Sequence, residues 1–149
     1  MLVLSNTAVW LGTAESWKAR IAAVQTGGLA NIADAVMERW FAPAFRATPD
    51  LALWRQMMIN APAQGHVAAC HALVTADQTA TTAALHLPTL VVAGDTAGAS
   101  PPDLVQATAA LIPGAAFHII PGAGHLPCVG APAERAALVA PFLRTHAHV

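Results

Sequence analysis

Two short apolar runs in the second half of the chain limit most strongly what it can fold into. Residues 89–93 and 116–120 are each rich in β-branched and other apolar side chains, and a helical pattern separates them. Continuous runs of this length are typical of parallel strands that are covered on both faces. A strand, a helix and a second strand in this order predict a βαβ unit with a parallel sheet.

The segment between residues 13 and 85 has the pattern of helices only. Apolar residues recur there at helical spacing in four separate stretches, and no strand pattern interrupts them. Thr13 is expected to cap the first of these helices and Asp50 the third. Residues 2–4 predict the end of a buried strand before this segment. A last helix is predicted from about residue 132 to residue 143, and the tail from residue 145 is expected to fray.

The order of these elements predicts an α/β fold in which four helices are inserted between two strands of one short parallel sheet. We expect residues 1–8 and 86–149 to form the α/β core and residues 9–85 to form the helical insertion. A chain of 149 residues is long enough for one domain, or for one domain with a small subdomain.

Composition argues against several classes of partner. The formal net charge is −1, so the chain has no basic surface for nucleic acid or for an anionic membrane. No apolar run approaches the roughly 18 residues of a membrane span, and the first residues lack the pattern of a signal peptide. The chain has 2 cysteines, Cys70 and Cys128. Both are expected to be reduced and to fill the core of a cytoplasmic protein.

His125 is the strongest candidate for chemistry, because it lies in a glycine-rich loop directly after the second predicted strand. Ligand sites of parallel α/β sheets lie beyond the carboxyl ends of the strands. Asp95 follows one such end and His125 the next, and an acid that precedes a histidine fits the order of an α/β-hydrolase triad. In that triad the imidazole takes a proton from a serine while the acid orients the ring. A structural loop histidine and a strand-end aspartate are the alternatives.

Five stretches carry a resemblance to a known family: LVLSNTA (2–8), GTAESW (12–17), ERWF (38–41), VVAGD (91–95) and PGAGHLP (121–127). In them the chain resembles the second half of the 3-oxoadipate enol-lactonases. The resemblance implies a partial α/β-hydrolase fold with residues 9–85 as a helical cap. It also implies hydrolysis of a small enol-lactone in aromatic-compound degradation, by serine attack and without a cofactor or metal. His125 matches the catalytic histidine of that family.

The first departure from the family is the nucleophile. The serines of the chain are Ser5, Ser16 and Ser100, and none lies in a Gly-x-Ser-x-Gly context. Ser100 is expected to cap a helix, with Asp103 as its partner in a capping box. The nucleophile and oxyanion hole of the family lie upstream of the strand at residues 2–4. We therefore expect no hydroxyl of this chain against His125, and no activity of the chain alone.

The second departure is the acid. The position of the family's catalytic aspartate falls on Ala97 in this sequence. Asp95 lies two residues earlier and can replace it only if the loop turns the carboxylate towards His125. Loss of proper acid function in a serine protease costs about four orders of magnitude in kcat.

The tryptophans and arginines of the helical segment each have two possible roles. The tryptophans either pack in the core or line a substrate pocket, and they are Trp17, Trp40 and Trp54. The arginines either bind a substrate carboxylate or are solvated surface charge, and they are Arg20, Arg39 and Arg55.

Three functional hypotheses remain open at this point. The chain is the cap-plus-histidine half of an enol-lactonase-like hydrolase that needs its other half. Alternatively, it is a truncated or degenerate homologue that binds a small acid or a partner subunit. A third interpretation is another capped hydrolase, of esterase or haloperoxidase type. In each case an unpaired strand at residues 2–4 predicts self-association or marginal stability of the isolated chain.

Overall fold

The fold is built on a parallel three-stranded sheet in the order β1-β2-β3. The computed structural model describes residues 1–146. The strands are β1 (Leu2–Ser5), β2 (Thr89–Gly94) and β3 (Ala116–Ile120). Both pairings are parallel. The parallel sheet and the insertion between its first two strands are therefore as the sequence predicts.

Helices occupy the chain on both sides of β2. Those between β1 and β2 are α1 (Ala14–Gly27), α2 (Ala33–Trp40), α3 (Pro43–Arg46), α4 (Asp50–Ile59), α5 (Ala63–Val74) and α6 (Thr79–Ala83), with a 3-10 turn at Leu29–Asn31. The remaining helices are α7 (Pro102–Ala110) between β2 and β3, and α8 (Pro127–Gly130) and α9 (Pro132–His146) after β3.

The four helices predicted for the insertion correspond to α1, α2, α4 and α5. The short helices α3, α6 and α8 span only 4 or 5 residues, too few to produce a periodic apolar signal. Helix α9 continues to His146, so the predicted fraying is wrong for Thr145 and His146. The rest of that tail, residues 147–149, lies outside the described residues.

Helix ends test the predicted caps. Thr13 caps α1 as predicted: its side chain accepts from the Ser16 N–H at 3.2 Å, and the Ser16 hydroxyl accepts from the Thr13 N–H at 2.9 Å. Asp50 is the first residue of α4 and not its cap. The predicted cap at Ser100 is wrong as well, because Pro101 occupies that position before α7.

The sheet is covered by apolar side chains on both faces. Leu90 and Val92 of β2 pack in a cluster that includes side chains of α9, whereas Val91 and Ala93 pack in a cluster with side chains of α7. This alternation is what a strand buried on both faces requires. A separate apolar cluster holds the helical insertion together, and its buried members are Val24, Leu29, Ala33, Val36, Met37, Phe41 and Met58.

The two cysteines lie in different environments. Among the described residues, neither Cys70 nor Cys128 forms a disulfide, and their reduced state stays an expectation. Cys70 is buried and fills the core, but Cys128 is exposed, so the core-filling interpretation is wrong for Cys128.

Within residues 1–146, no helix combines the length and the hydropathy that crossing a bilayer requires.

Strand β1 is an edge of the sheet. The Leu2 N–H donates to Pro88 O and the Asn6 N–H to Val92 O, both at 2.9 Å on the β2 side. Amides alternate in direction along a strand, so the N–H groups of Val3 and Ser5 point away from β2. Every residue of β2 is buried, whereas every residue of β1 is only half-buried. Within residues 1–146, no second strand pairs with β1.

We expect the isolated chain to self-associate through this edge. Val3→Pro removes an outward-pointing N–H without removing a bond to β2, so it should shift the chain towards monomer in sedimentation velocity. Val3→Ala is the matched control, because it shortens the same side chain but keeps the N–H. A wild-type chain that stays monomeric at tens of micromolar and melts in one sharp transition would contradict this prediction.

Candidate active site around His125

His125 is held by the close approach of its loop to the end of α2. The His125 N–H donates to Trp40 O at 2.8 Å. A Cβ atom on the preceding residue, Gly124, would overlap the backbone of residues 40–42. A Cβ atom on Gly94, at the end of β2, would overlap the carbonyl oxygens of the histidine loop. Glycine is therefore required at both positions for the loop to lie where it does.

The imidazole of His125 lines a cavity of about 300 Å³ between the strand-end loops and the helical insertion. This volume is at the lower end of the range for small-molecule sites. Lining residues from α1, α2 and α5 include Trp17, Arg20, Arg39, Trp40, His66 and Cys70. The cavity therefore combines aromatic walls, two guanidinium groups and a histidine that can exchange protons.

The ring of His125 is hydrogen-bonded to a hydroxyl of the same chain. Nδ1 of His125 lies 2.9 Å from Oγ of Ser100, and that hydroxyl also donates to Asn6 O at 2.8 Å. The expectation that no hydroxyl lies against His125 is therefore wrong. Ser100 has 0% exposure and does not line the cavity. The Nδ1 edge of the ring thus faces the protein interior, and the Nε2 edge is the one that the cavity can reach.

Asp95 is not brought to the ring. Its side chain is exposed, and among the described residues its carboxylate makes no hydrogen bond or ion pair. The reason is the turn after β2: both the N–H and the hydroxyl of Thr96 bond to Ala123 O, at 3.0 and 2.8 Å, and they leave Asp95 at the outer corner. The structure therefore does not support Asp95 as the group that orients His125, and Ser100 holds that position.

Within residues 1–146, no carboxylate replaces Asp95 inside the site. Ala97, where the family pattern places the acid, is buried with 3% exposure. Among the described residues, neither an aspartate nor a glutamate lines the cavity. Burial and, to a smaller extent, the positive charge of Arg39 hold the pKa of His125 below its usual value. Both causes favour the unprotonated imidazole.

The structure separates the three candidate arginines. Arg20 and Arg39 line the cavity, and Cζ of Arg20 lies 5.4 Å from the ring centroid of Trp17. Burial and the nearby charge of Arg39 lower the pKa of Arg20, which nevertheless stays a cation. Arg55 instead forms a 2.6 Å ion pair with Asp34 on the surface, outside the cavity.

The structure also shows the environments of the three candidate tryptophans. Trp17 and Trp40 line the cavity. Trp54 packs in the core of the insertion, where its ring centroid lies 5.9 Å from that of Phe41. The lining interpretation therefore holds for Trp17, the core interpretation for Trp54, and both hold for Trp40, which also packs against the core of the insertion.

The other potential nucleophiles that line the cavity either donate a hydrogen bond to the backbone or have a raised pKa. The Ser16 hydroxyl lines the cavity but donates to Thr13 O at 2.8 Å. The Cys70 thiol is neutral at neutral pH, because burial raises its pKa. Within residues 1–146, no three side chains of histidine, cysteine, aspartate or glutamate lie close enough together to hold a metal ion.

Sequence reasoning missed two residues of this site. His66 projects into the cavity from α5, and burial and the charge of Arg20 lower its pKa. Asn6 is buried, has a φ of 47° and bonds to both strand-end loops. An asparagine directly after an apolar strand was the available signal for Asn6, since asparagine is enriched at positive φ.

Comparison with known proteins agrees with this architecture. No protein-family model matches the chain. The 3-oxoadipate enol-lactonase 1 of Acinetobacter baylyi is 35% identical over 95 residues, which are 62% of this chain but only 36% of that protein. The enol-lactonase structure from Burkholderia xenovorans LB400 superposes with a TM-score of 0.90 and 28% identity, over 95% of this chain and 55% of that one. The structure of a thermophilic esterase from Thermogutta terrifontis superposes with a TM-score of 0.87 and 31% identity, over 96% of this chain and 55% of that one.

The fold is therefore part of the α/β-hydrolase fold, and the chain spans about half the length of the solved structures that it matches. Within that superfamily the chain resembles the 3-oxoadipate enol-lactonases, as its sequence motifs indicate.

We expect nuclear magnetic resonance titration to give a pKa for His125 below that of a free histidine. Arg39→Gln should raise this pKa part of the way, because it removes one of the two causes and leaves the burial. Arg55→Gln is the control and should leave it unchanged, since Arg55 is paired outside the cavity. An unchanged pKa in Arg39→Gln would contradict the electrostatic interpretation.

The sign of the stability effect follows from the same shift. Between the lowered pKa of folded His125 and the ordinary value of about 6.5, the unfolded chain binds more protons than the folded chain. The free energy of unfolding should therefore decrease as the pH falls through this interval, and urea titrations at several pH values measure it.

Proposed function

We propose that this chain is the histidine-bearing part of an enol-lactonase-like hydrolase, and that it binds a small ester or lactone with a carboxylate group. The observation that carries the proposal is the cavity itself, where the free edge of His125 shares one small space with Arg20 and Arg39.

The charges of the cavity support an anionic ligand. Two guanidinium groups line it, and no described acidic side chain lines it to compensate them. A ligand carboxylate would supply that compensation through charge-assisted hydrogen bonds. The indole rings of Trp17 and Trp40 offer apolar walls for a small ring. A lactone with a carboxylate side chain has both features.

His125 suits the role of general base. Its pKa is lowered, which favours the unprotonated ring, and with Nδ1 bonded to Ser100 the Nε2 edge is left for the ligand in the cavity. The hydroxyls of Ser16 and Ser100 donate to backbone carbonyls and are not free to attack a substrate. We propose that the attacking serine comes from a segment outside these 149 residues, and that this segment pairs with the edge of β1.

Non-catalytic binding is the second candidate, and the partner of Nδ1 favours it. A carboxylate in that place stabilises the imidazolium that forms during acyl transfer, whereas the hydroxyl of Ser100 adds no negative charge. The charge of Arg39 further disfavours the imidazolium. A chain with these properties binds a small acid well and catalyses slowly or not at all. Its ligand would be the same in both cases.

Binding of a dicarboxylate tests the ligand class. We expect 3-oxoadipate to bind the chain in isothermal titration calorimetry and its neutral dimethyl ester to bind more weakly. Arg20→Gln should weaken binding of the acid by about tenfold or more, because hydrogen bonds to charged groups contribute about 1.5–3 kcal/mol. Arg55→Gln should have no effect. Equal affinities for the acid and its ester would contradict an anion site.

Complementation tests the catalytic part of the proposal. The chain alone should not hydrolyse an enol-lactone or a simple aryl ester. Mixed with a polypeptide that carries the serine-bearing half of an enol-lactonase, it should gain a hydrolysis activity that His125→Ala abolishes. Binding of the acid without any complemented activity would instead favour the non-catalytic candidate. Activity of the chain alone that depends on His125 would show that the assignment of the nucleophile is wrong.

A further inference from the structure

We propose that Ser100 is a positioning residue: its hydroxyl, supported by the carbonyl of Asn6, holds His125 in the tautomer with the proton on Nδ1. Nε2 then keeps a free lone pair towards the cavity. The consequence for catalysis rests on the proposed function, but the tautomer does not. The residue would take the orienting role that a carboxylate has in an α/β-hydrolase triad.

The direction of each hydrogen bond follows from counting protons. The Ser100 hydroxyl has one proton and lies 2.8 Å from Asn6 O, which can only accept. That contact therefore uses the proton. The same oxygen lies 2.9 Å from Nδ1 of His125, so it must accept there, and Nδ1 must carry a hydrogen. With 0% exposure at Ser100, solvent water offers the hydroxyl no alternative partner.

Ser100 and the acceptor of its hydroxyl proton, the carbonyl of Asn6, are both held in place. The carbonyl of Asn6 is fixed because its N–H donates to Val92 O and its side-chain Oδ1 accepts from the Gly94 N–H, both at 2.9 Å. Ser100 precedes Pro101, which restricts the serine backbone to extended conformations. The hydroxyl is therefore positioned before any ligand enters the cavity.

A hydroxyl and a carboxylate can both accept from Nδ1–H, but they differ in charge and the carboxylate makes the stronger bond. The carboxylate stabilises imidazolium, and the hydroxyl does not. The charged or titratable groups that share the cavity with His125 are Arg20, Arg39, His66 and Cys70, and none of them is an anion at neutral pH. The site is thus built to present a neutral imidazole with an accepting Nε2, rather than to stabilise its protonated form.

Ser100 is not itself a nucleophile in this arrangement. Its oxygen bonds to the Nδ1 edge of the ring, away from the cavity, and its proton is already donated to Asn6 O. A purely structural role, which would anchor the loop after β2 without any effect on the tautomer, is the alternative that the experiment must separate.

The experiment is a long-range 15N–1H correlation spectrum of the histidine-labelled chain, recorded above the pKa of His125. The wild-type chain should show a protonated Nδ1 and an unprotonated Nε2. In Ser100→Ala the ratio of the Nδ1–H to the Nε2–H tautomer should fall about fivefold, the factor expected for loss of one net hydrogen bond. Ser100→Thr keeps a hydroxyl and should retain the wild-type tautomer. Ser16→Ala is the control, because that hydroxyl bonds to Thr13 O and not to a histidine.

A protonated Nε2 in the wild-type chain would overturn the proposal, even if Ser100→Ala does not fold. Equal tautomer ratios in the wild-type chain and in a folded Ser100→Ala would overturn it as well and would leave only the structural role. Neither result depends on hydrolysis. If the spectrum shows a protonated Nδ1 but the complementation assay gives no activity, the result counts against the proposed function and not against the role of Ser100.

Discussion

The hydrogen bonds of Asn6 hold the strand ends and the histidine loop together. Its backbone N–H donates to Val92 O, its Oδ1 accepts from the Gly94 N–H and its Nδ2 donates to Gly124 O at 3.4 Å. Its own carbonyl accepts from Ser100, which in turn bonds to His125. Asn6 is 2% exposed, so each of these partners would be buried without a hydrogen bond if the side chain or the turn were lost. The hydroxyl that bonds to the imidazole therefore depends on this one turn after β1.

Electrostatics distinguish this site from a complete hydrolase triad. A triad places a negative charge behind the histidine, but here the imidazole has a neutral hydroxyl behind it and two arginines in the cavity before it. The arginines favour an anion in the cavity and the charge of Arg39 disfavours the protonated ring, whereas the hydroxyl adds no charge that would stabilise it. The same cavity therefore suits a carboxylate ligand in either candidate function. The fold alone does not choose between them, because function depends on the groups at the site.

The open edge of β1 connects the partial fold to the site. Residues 2–5 precede Asn6 directly, so whatever pairs with this strand also lies next to the turn that holds Ser100 and His125. A strand of another polypeptide at this edge would complete the sheet and bring its own loop to the same side, since parallel strands end at one edge. A partner at this edge would therefore act on both the stability of the sheet and the geometry of the site.

The sequence by itself determined the strands, the parallel sheet, the helical insertion and the loop that carries His125. These features depend on local patterns: apolar runs, helical periodicity and glycines at close approaches. Only the tertiary structure decided that Ser100 rather than Asp95 contacts the ring, and that Arg20 and Arg39 rather than Arg55 line the cavity. The bonds from Asn6 to Gly94, Ser100 and Gly124 span 88, 94 and 118 residues. No local pattern encodes which partners meet over such separations, because their meeting depends on how the whole chain packs.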